Sequence, residues 1–267
     1  MSDRALVQID LTTEHFVELR HAKEALESPR FAIQVVNFIG VPVEQGIAHL
    51  PPNWRDKILS ISRAALERAA DIALWSVDPT SPRKANELLH KLVVTGTGAA
   101  GGAFGLSALA LELPLSTTVM LRSIADIARA EGEDLRTTDA KLACLSVFAL
   151  GGRAPSDDQT ESAYYIARLS LANAISEAAP HLMSKNAVKG AAPQLIGLIQ
   201  RIAARFSLQV SEKTAAQAVP VIGAAGGAVL NWLFISHYQQ MAKGHFTIRR
   251  LERIYPPALV EARYRQL

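Results

Sequence analysis

The 267-residue sequence has few aromatic residues, a single cysteine, little net charge and nothing that alternates like a β-strand. Phe, Trp and Tyr supply 6 % of residues while the hydrophobic total is 49 %. The apolar content is therefore mostly aliphatic, rich in alanine and leucine, which suits closely packed helices. One cysteine, Cys144, excludes an intramolecular disulfide, and its apolar setting from Leu142 to Leu150 marks a core thiol. A net charge of +3 gives no global field for nucleic acid. The stretch from Met1 to Arg30 is charged throughout and has no signal-peptide core, which predicts a cytoplasmic protein.

Catalytic signatures are missing too. There is no His-Glu-x-x-His of a zinc peptidase, no Gly-x-Ser-x-Gly elbow and no Gly-x-x-x-x-Gly-Lys phosphate loop. Two Glu-x-x-His pairs, Glu18 with His21 and Glu87 with His90, have the spacing used by di-iron bundles. That scheme also needs a ligand-bearing helix before the first pair, and only a short tail precedes Glu18. The sequence thus calls for no metal and no cofactor.

What is present is glycine in unusual places. No charged residue occurs between Lys91 and Glu112, and this stretch holds Gly96, Gly98, Gly101, Gly102 and Gly105. A second uncharged stretch, Thr214 to Ser236, holds Gly223, Gly226 and Gly227, and both contain Gly-Ala-Ala-Gly-Gly-Ala. Each helical glycine costs about 0.5–1 kcal/mol relative to alanine, so close backbone approach is expected as the offset. Both stretches are long enough to span a bilayer, but their Thr, Ser, Gln and Asn content favours small-faced helices packed inside the protein.

The period is helical nearly everywhere, predicting an all-α, multi-helix bundle with the two glycine-rich helices at its centre. An N-terminal helical segment over 1–50 is expected to pack on a main domain over 51–267. Thr12 or Thr13, Asn53 and Thr137 or Thr138 are candidate N-caps, and Gly40 is a candidate stop. Pro114 is expected to interrupt a helix after Leu113, Ser211 to open a new one, and Gly244 to precede a separate short basic helix.

Three pieces resemble the bacterial EcsC family. They are Gly96 to Gly102 leading to Leu111-Glu112-Leu113-Pro114; Leu121 to Ala125 followed by Gly132-Glu133-Asp134; and Val219 to Ala224 with Asn231 and Arg249-Arg250-Leu251 following. The likeness spans roughly Pro51 to Tyr255, with Glu112 where the family has Asp before proline. It implies a bacterial helical protein of the cytoplasm or its membrane face, linked by its family's name to an ABC-transporter operon and without a settled molecular activity.

Candidate functional residues follow from charge and setting. Glu112 is a carboxylate in an apolar run and needs a partner, with Arg122 and Asn231 as its candidate polar network. The C-terminal region carries Arg249, Arg250, Arg253, Arg263 and Arg265, and from Lys243 to Leu267 six Lys/Arg face two Glu. This predicts contact with an anionic membrane surface or a membrane protein, not nucleic acid. The leading reading is a non-enzymatic protein at the inner face of the membrane. The competing one is a hydrolase or metal-dependent enzyme built around Glu112.

Overall fold

A computed structural model describes residues 10–27, 30–40, 46–47, 50–76, 87–101, 106–150, 163–180, 193–218 and 223–267. Every regular element among them is helical. The ten helices are α1 (Thr13–Glu27), α2 (Arg30–Ile39), α3 (Trp54–Ser76), α4 (Glu87–Gly101), α5 (Leu106–Ala130), α6 (Thr138–Leu150), α7 (Ala163–Ala178), α8 (Pro193–Gln217), α9 (Gly223–Ile254) and α10 (Pro257–Gln266).

Local chemistry sets many of the ends. Thr12 Oγ1 accepts from His15 N at 3.3 Å and Thr137 Oγ1 from Ala140 N at 3.2 Å, each satisfying an otherwise orphaned donor in a first turn. Gly40 ends α2 with φ of 72°, and Pro257 opens α10. Asn53, before α3, adopts φ of 61°.

The 32-residue α9, about 48 Å long at helical rise, is the axis of the molecule. It packs on α1, α2, α4, α5, α6, α8 and α10, most extensively on α4. Helix α3 lies against α5 and α8, and α7 against α6 and α8. Phe148, Phe206, Phe234 and Tyr238 meet where α6, α8 and α9 converge, with neighbouring ring centroids 5.0–5.9 Å apart.

Three expected breaks do not occur. Helix α5 runs through Pro114. The ring removes one backbone donor, a loss of about 3 kcal/mol that packing on α3, α4 and α9 must offset. Thr118 Oγ1 turns back to the Pro114 carbonyl at 2.7 Å, a side-chain bond that accompanies bent helices. Ser211 sits inside α8 and donates to the Ser207 carbonyl at 2.6 Å. Gly244 lies inside α9, where a Cβ would stand 2.9 Å from the Ala22 carbonyl oxygen and 2.7 Å from Leu26 Cγ on α1. The absent side chain lets α1 seat on α9 without ending it.

Of the glycine-rich stretches, α4 carries Gly98 and Gly101 and packs along α9, which carries Gly223, Gly226 and Gly227. Gly226 and Gly227 are buried, while Gly102 and Gly105 lie outside the described residues.

Candidate functional site

Glu112 faces inward from α5, on the stripe shared with Leu109, Leu113 and Ser116. It is 5 % exposed, and the Nζ of Lys213 on α8, itself 0 % exposed, donates to both carboxylate oxygens at 2.9 Å. Asn231 on α9 donates through Nδ2 to Glu112 Oε1 at 3.0 Å and to the Val94 carbonyl of α4 at 2.9 Å. The Lys213 ammonium also lies 5.1 Å from the ring centroid of Phe234. Four helices therefore meet at one buried charge pair.

Burial raises the carboxyl's pKa, but the Lys213 charge and the hydrogen bonds from Lys213 and Asn231 outweigh it and hold the pKa below its ordinary value. An ionised carboxylate with both oxygens engaged is a poor general acid and a hindered base. The geometry suits a structural tie between helices.

The structure brings together Glu112 and Asn231 from the candidate network and places Arg122 elsewhere, on an exposed face of α5. Ten residues separate 112 from 122, which turns Arg122 about 80° from Glu112 at 100° per residue. Lys213 is the partner that sequence reasoning missed. Its signal was its place on the stripe of Ile199, Ile202, Phe206 and Val210, where a lysine must bury its charge or break the pattern.

The five C-terminal arginines are engaged within the fold. Arg249 bonds to Glu133 at 2.9 and 3.1 Å and to Asp139 at 2.6 Å. Arg250 bonds to Glu131 at 2.8 Å and Glu18 at 3.0 Å, and Arg253 reaches Glu133 and the Glu131 carbonyl. Arg263 pairs with Asp10 at 2.9 Å and Arg265 with Glu261 at 3.0 Å. Three of these arginines thus clamp the turn after α5 onto α9.

The Glu-x-x-His pairs hold separate partners. Glu18 takes Arg250, and His90 meets Asp126 at 2.9 Å. Among the described residues, no group of three or more His, Cys, Asp or Glu could hold a metal. Glu18 and His21 instead line a cleft of about 310 Å³ between α1 and α9, walled also by Glu131, Lys243 and Arg250. Its acids and bases balance. Cys144 is fully buried, and burial pushes its thiol pKa well up.

A second surface has a different character. Leu88, Leu89, Leu92 and Val93 of α4 and Leu111 and Leu115 of α5 are exposed, Leu111 by 76 %. The Asn231 tie at Val94 and Glu112 and the His90–Asp126 contact show α4 and α5 side by side and antiparallel. The exposed residues therefore lie on two neighbouring helices. No acidic residue other than buried Glu112 occurs from Leu88 to Leu121. Lys91 lies within the stretch, its Nζ 5.1 Å from the ring centroid of half-buried Trp232, and Arg122 follows it. No helix among the described residues is long and apolar enough to cross a membrane.

The sequence model of the EcsC protein family matches residues 45–251, from ahead of α3 almost to the end of α9. No curated protein and no solved structure matches the chain.

Proposed function

The chain belongs to the EcsC protein family, and from that premise we propose that it is a non-enzymatic helical protein that docks on an anionic membrane surface through the exposed leucines of α4 and α5. One observation carries the reading: six large aliphatic side chains stand exposed on two adjacent helices with no exposed carboxylate among them. An apolar patch of this kind marks an interaction surface. A lysine beside a tryptophan at its margin suits the level of lipid headgroups, where such side chains keep an apolar body in lipid and a polar tip in water. The face is shallow and lies along the helices, so it would meet lipid without spanning it.

The five C-terminal arginines carry less of this reading, because each is already paired with a carboxylate of this chain. The competing enzymatic reading requires a reachable Glu112, and a 5 % exposed carboxylate bound through both oxygens is not offered to substrate.

Co-flotation with vesicles of phosphatidylglycerol and phosphatidylcholine tests the proposal. The wild-type chain should float with them, and Leu92→Gln with Leu111→Gln and Leu115→Gln should weaken binding about tenfold or more by removing apolar contact, with melting unchanged. Wild-type chain that stays with the bulk at low salt would overturn it. Binding only to native membranes would reassign the face to a membrane protein.

A further inference from the structure

We propose that the molecule meets an anionic bilayer tilted, with the uncharged end of the α4–α5 pair leading into lipid and Lys91 and Arg122 stopping at the phosphates. The inference rests on the membrane-docking reading and adds to it an orientation and the lipid group recognised.

From Leu92 to Leu121 the only charged side chain is that of Glu112, which is buried against Lys213. Lys91 and Arg122 bracket this run, and the fold brings its two ends together. His90 Nε2 meets Asp126 Oδ2 at 2.9 Å; Lys91 follows His90, and Arg122 lies one turn before Asp126. Both cations therefore belong to one end of the α4–α5 pair, and the junction from Gly101 to Leu106 belongs to the other. On α5 the exposed stripe changes from apolar to cationic along its length, through Leu111, Leu115 and Arg122.

Helix α9 is polarised in the same direction. No Asp, Glu, Lys or Arg occurs from Thr214 to Ala242, whereas its last turns carry the arginines that clamp Glu18, Glu131 and Glu133. Asn231 at Val94 and Trp232 at Lys91 set the uncharged half of α9 beside α4. The three helices thus share an end with no charged side chain except the buried Glu112. Glu212, partly buried next to Lys213 on α8, also belongs to this end; burial raises its carboxyl to about 7, which lessens the cost of bringing it toward lipid.

A face that lies along helices can meet a bilayer flat or with one end leading. Docking flat requires the exposed residues of α4 and α5 to lie in one plane. Docking with the uncharged end leading does not, since lipid then reaches the outer sides of both helices. Ionised groups resist transfer into hydrocarbon, so this end can enter and the clamped end cannot. The stretch from Leu92 to Gly101 gives a reach of about 15 Å, half of the ~30 Å hydrocarbon core, so the end fills one leaflet and stops. At its base, Lys91 over Trp232 and exposed Arg122 stand level with the phosphates.

Depth-dependent quenching of a bimane probe tests the orientation, in phosphatidylglycerol–phosphatidylcholine vesicles carrying nitroxides at shallow or deep acyl positions. In a Cys144→Ala background, probes at Leu111→Cys, Leu115→Cys and Leu88→Cys should rank from deepest to shallowest in that order. The spread between Leu111 and Leu88 should be about 10 Å or more. Lys91→Gln and Arg122→Gln should each weaken binding about fivefold and reduce its salt dependence, measured well below the melting temperature. Equal depths at the three positions, or the reverse order, would overturn the inference and leave the docking reading standing. Binding that neither glutamine variant moves would overturn it too. Wild-type chain that binds no vesicle would remove the docking reading and this inference with it.

Discussion

Lys213 shows how much one side chain can decide. It is fully buried, the anion it meets is Glu112, and the two lie 101 positions apart in the sequence. Glu112 announced itself as a carboxylate in an apolar run, but a pairing at that separation leaves no local mark, and the nearer Arg122 drew the assignment. Removing either partner strands the other, so Lys213→Met or Glu112→Gln should each cost about 3–5 kcal/mol in urea unfolding. The double replacement Glu112→Leu with Lys213→Met should be far less costly than the two single losses combined. Because the Glu112 pKa is lowered on folding, its contribution is complete above the ordinary value of 4.5 and fades as pH falls through the native one. Glu212 has the opposite sign, its carboxyl raised to about 7 by burial. The unfolded chain ionises from about 4.5 while the native carboxyl keeps its proton to about 7, so stability falls across that window. Glu212→Gln should match wild type at pH 4 and exceed it by about 3 kcal/mol at pH 8. Equal stability at both values would mean that the carboxyl is hydrated in the fold.

At the scale of the helix, the sequence was most legible where backbone chemistry is local. The caps at Thr12 and Thr137 and the stop at Gly40 each follow from what one residue's donors or dihedrals permit. It was least legible where packing overrides a local preference. Pro114, Ser211 and Gly244 each read as breaks, and each sits inside a helix held by neighbours on several sides. Among the described glycines, Gly46 and Gly244 are where a missing side chain admits another backbone, that of Ala215 and that of Ala22. Gly244→Ala should therefore cost about 1–3 kcal/mol by overpacking the α1–α9 contact. A Cβ added at Gly197 of α8 would meet nothing within 4 Å, and alanine there should stabilise by about 0.4–1 kcal/mol. Thermal melts of the two variants check both signs, and a stabilising Gly244→Ala would show that α1 does not seat closely on α9.

For the whole molecule, periodicity conveyed the all-helical class and the presence of a packed centre, but not which apolar residues stay outside. Leu109 and Leu111 are the same residue type two positions apart, yet the fold buries the first and exposes the second. Charge counting has a similar limit, because an excess of arginine in sequence carries no record of the acids it meets in space. Glu133, whose side chain is 6 % exposed, receives both Arg249 and Arg253. Arg249→Gln with Arg253→Gln should lower stability by about 2–4 kcal/mol by leaving that carboxylate unpaired. Vesicle binding measured well below the melting temperature should hold; if binding fell while stability held, the arginines would be headgroup contacts. The most direct test of the α4–α5 face is an environment-sensitive fluorophore attached through Leu111→Cys, compared with one attached through Leu169→Cys. Leu169 of α7 is 74 % exposed, much like Leu111. On adding anionic vesicles, the account predicts a blue shift and brighter emission from the probe on α5 and no change from the probe on α7. Equal responses at the two sites, or none at either, would contradict it.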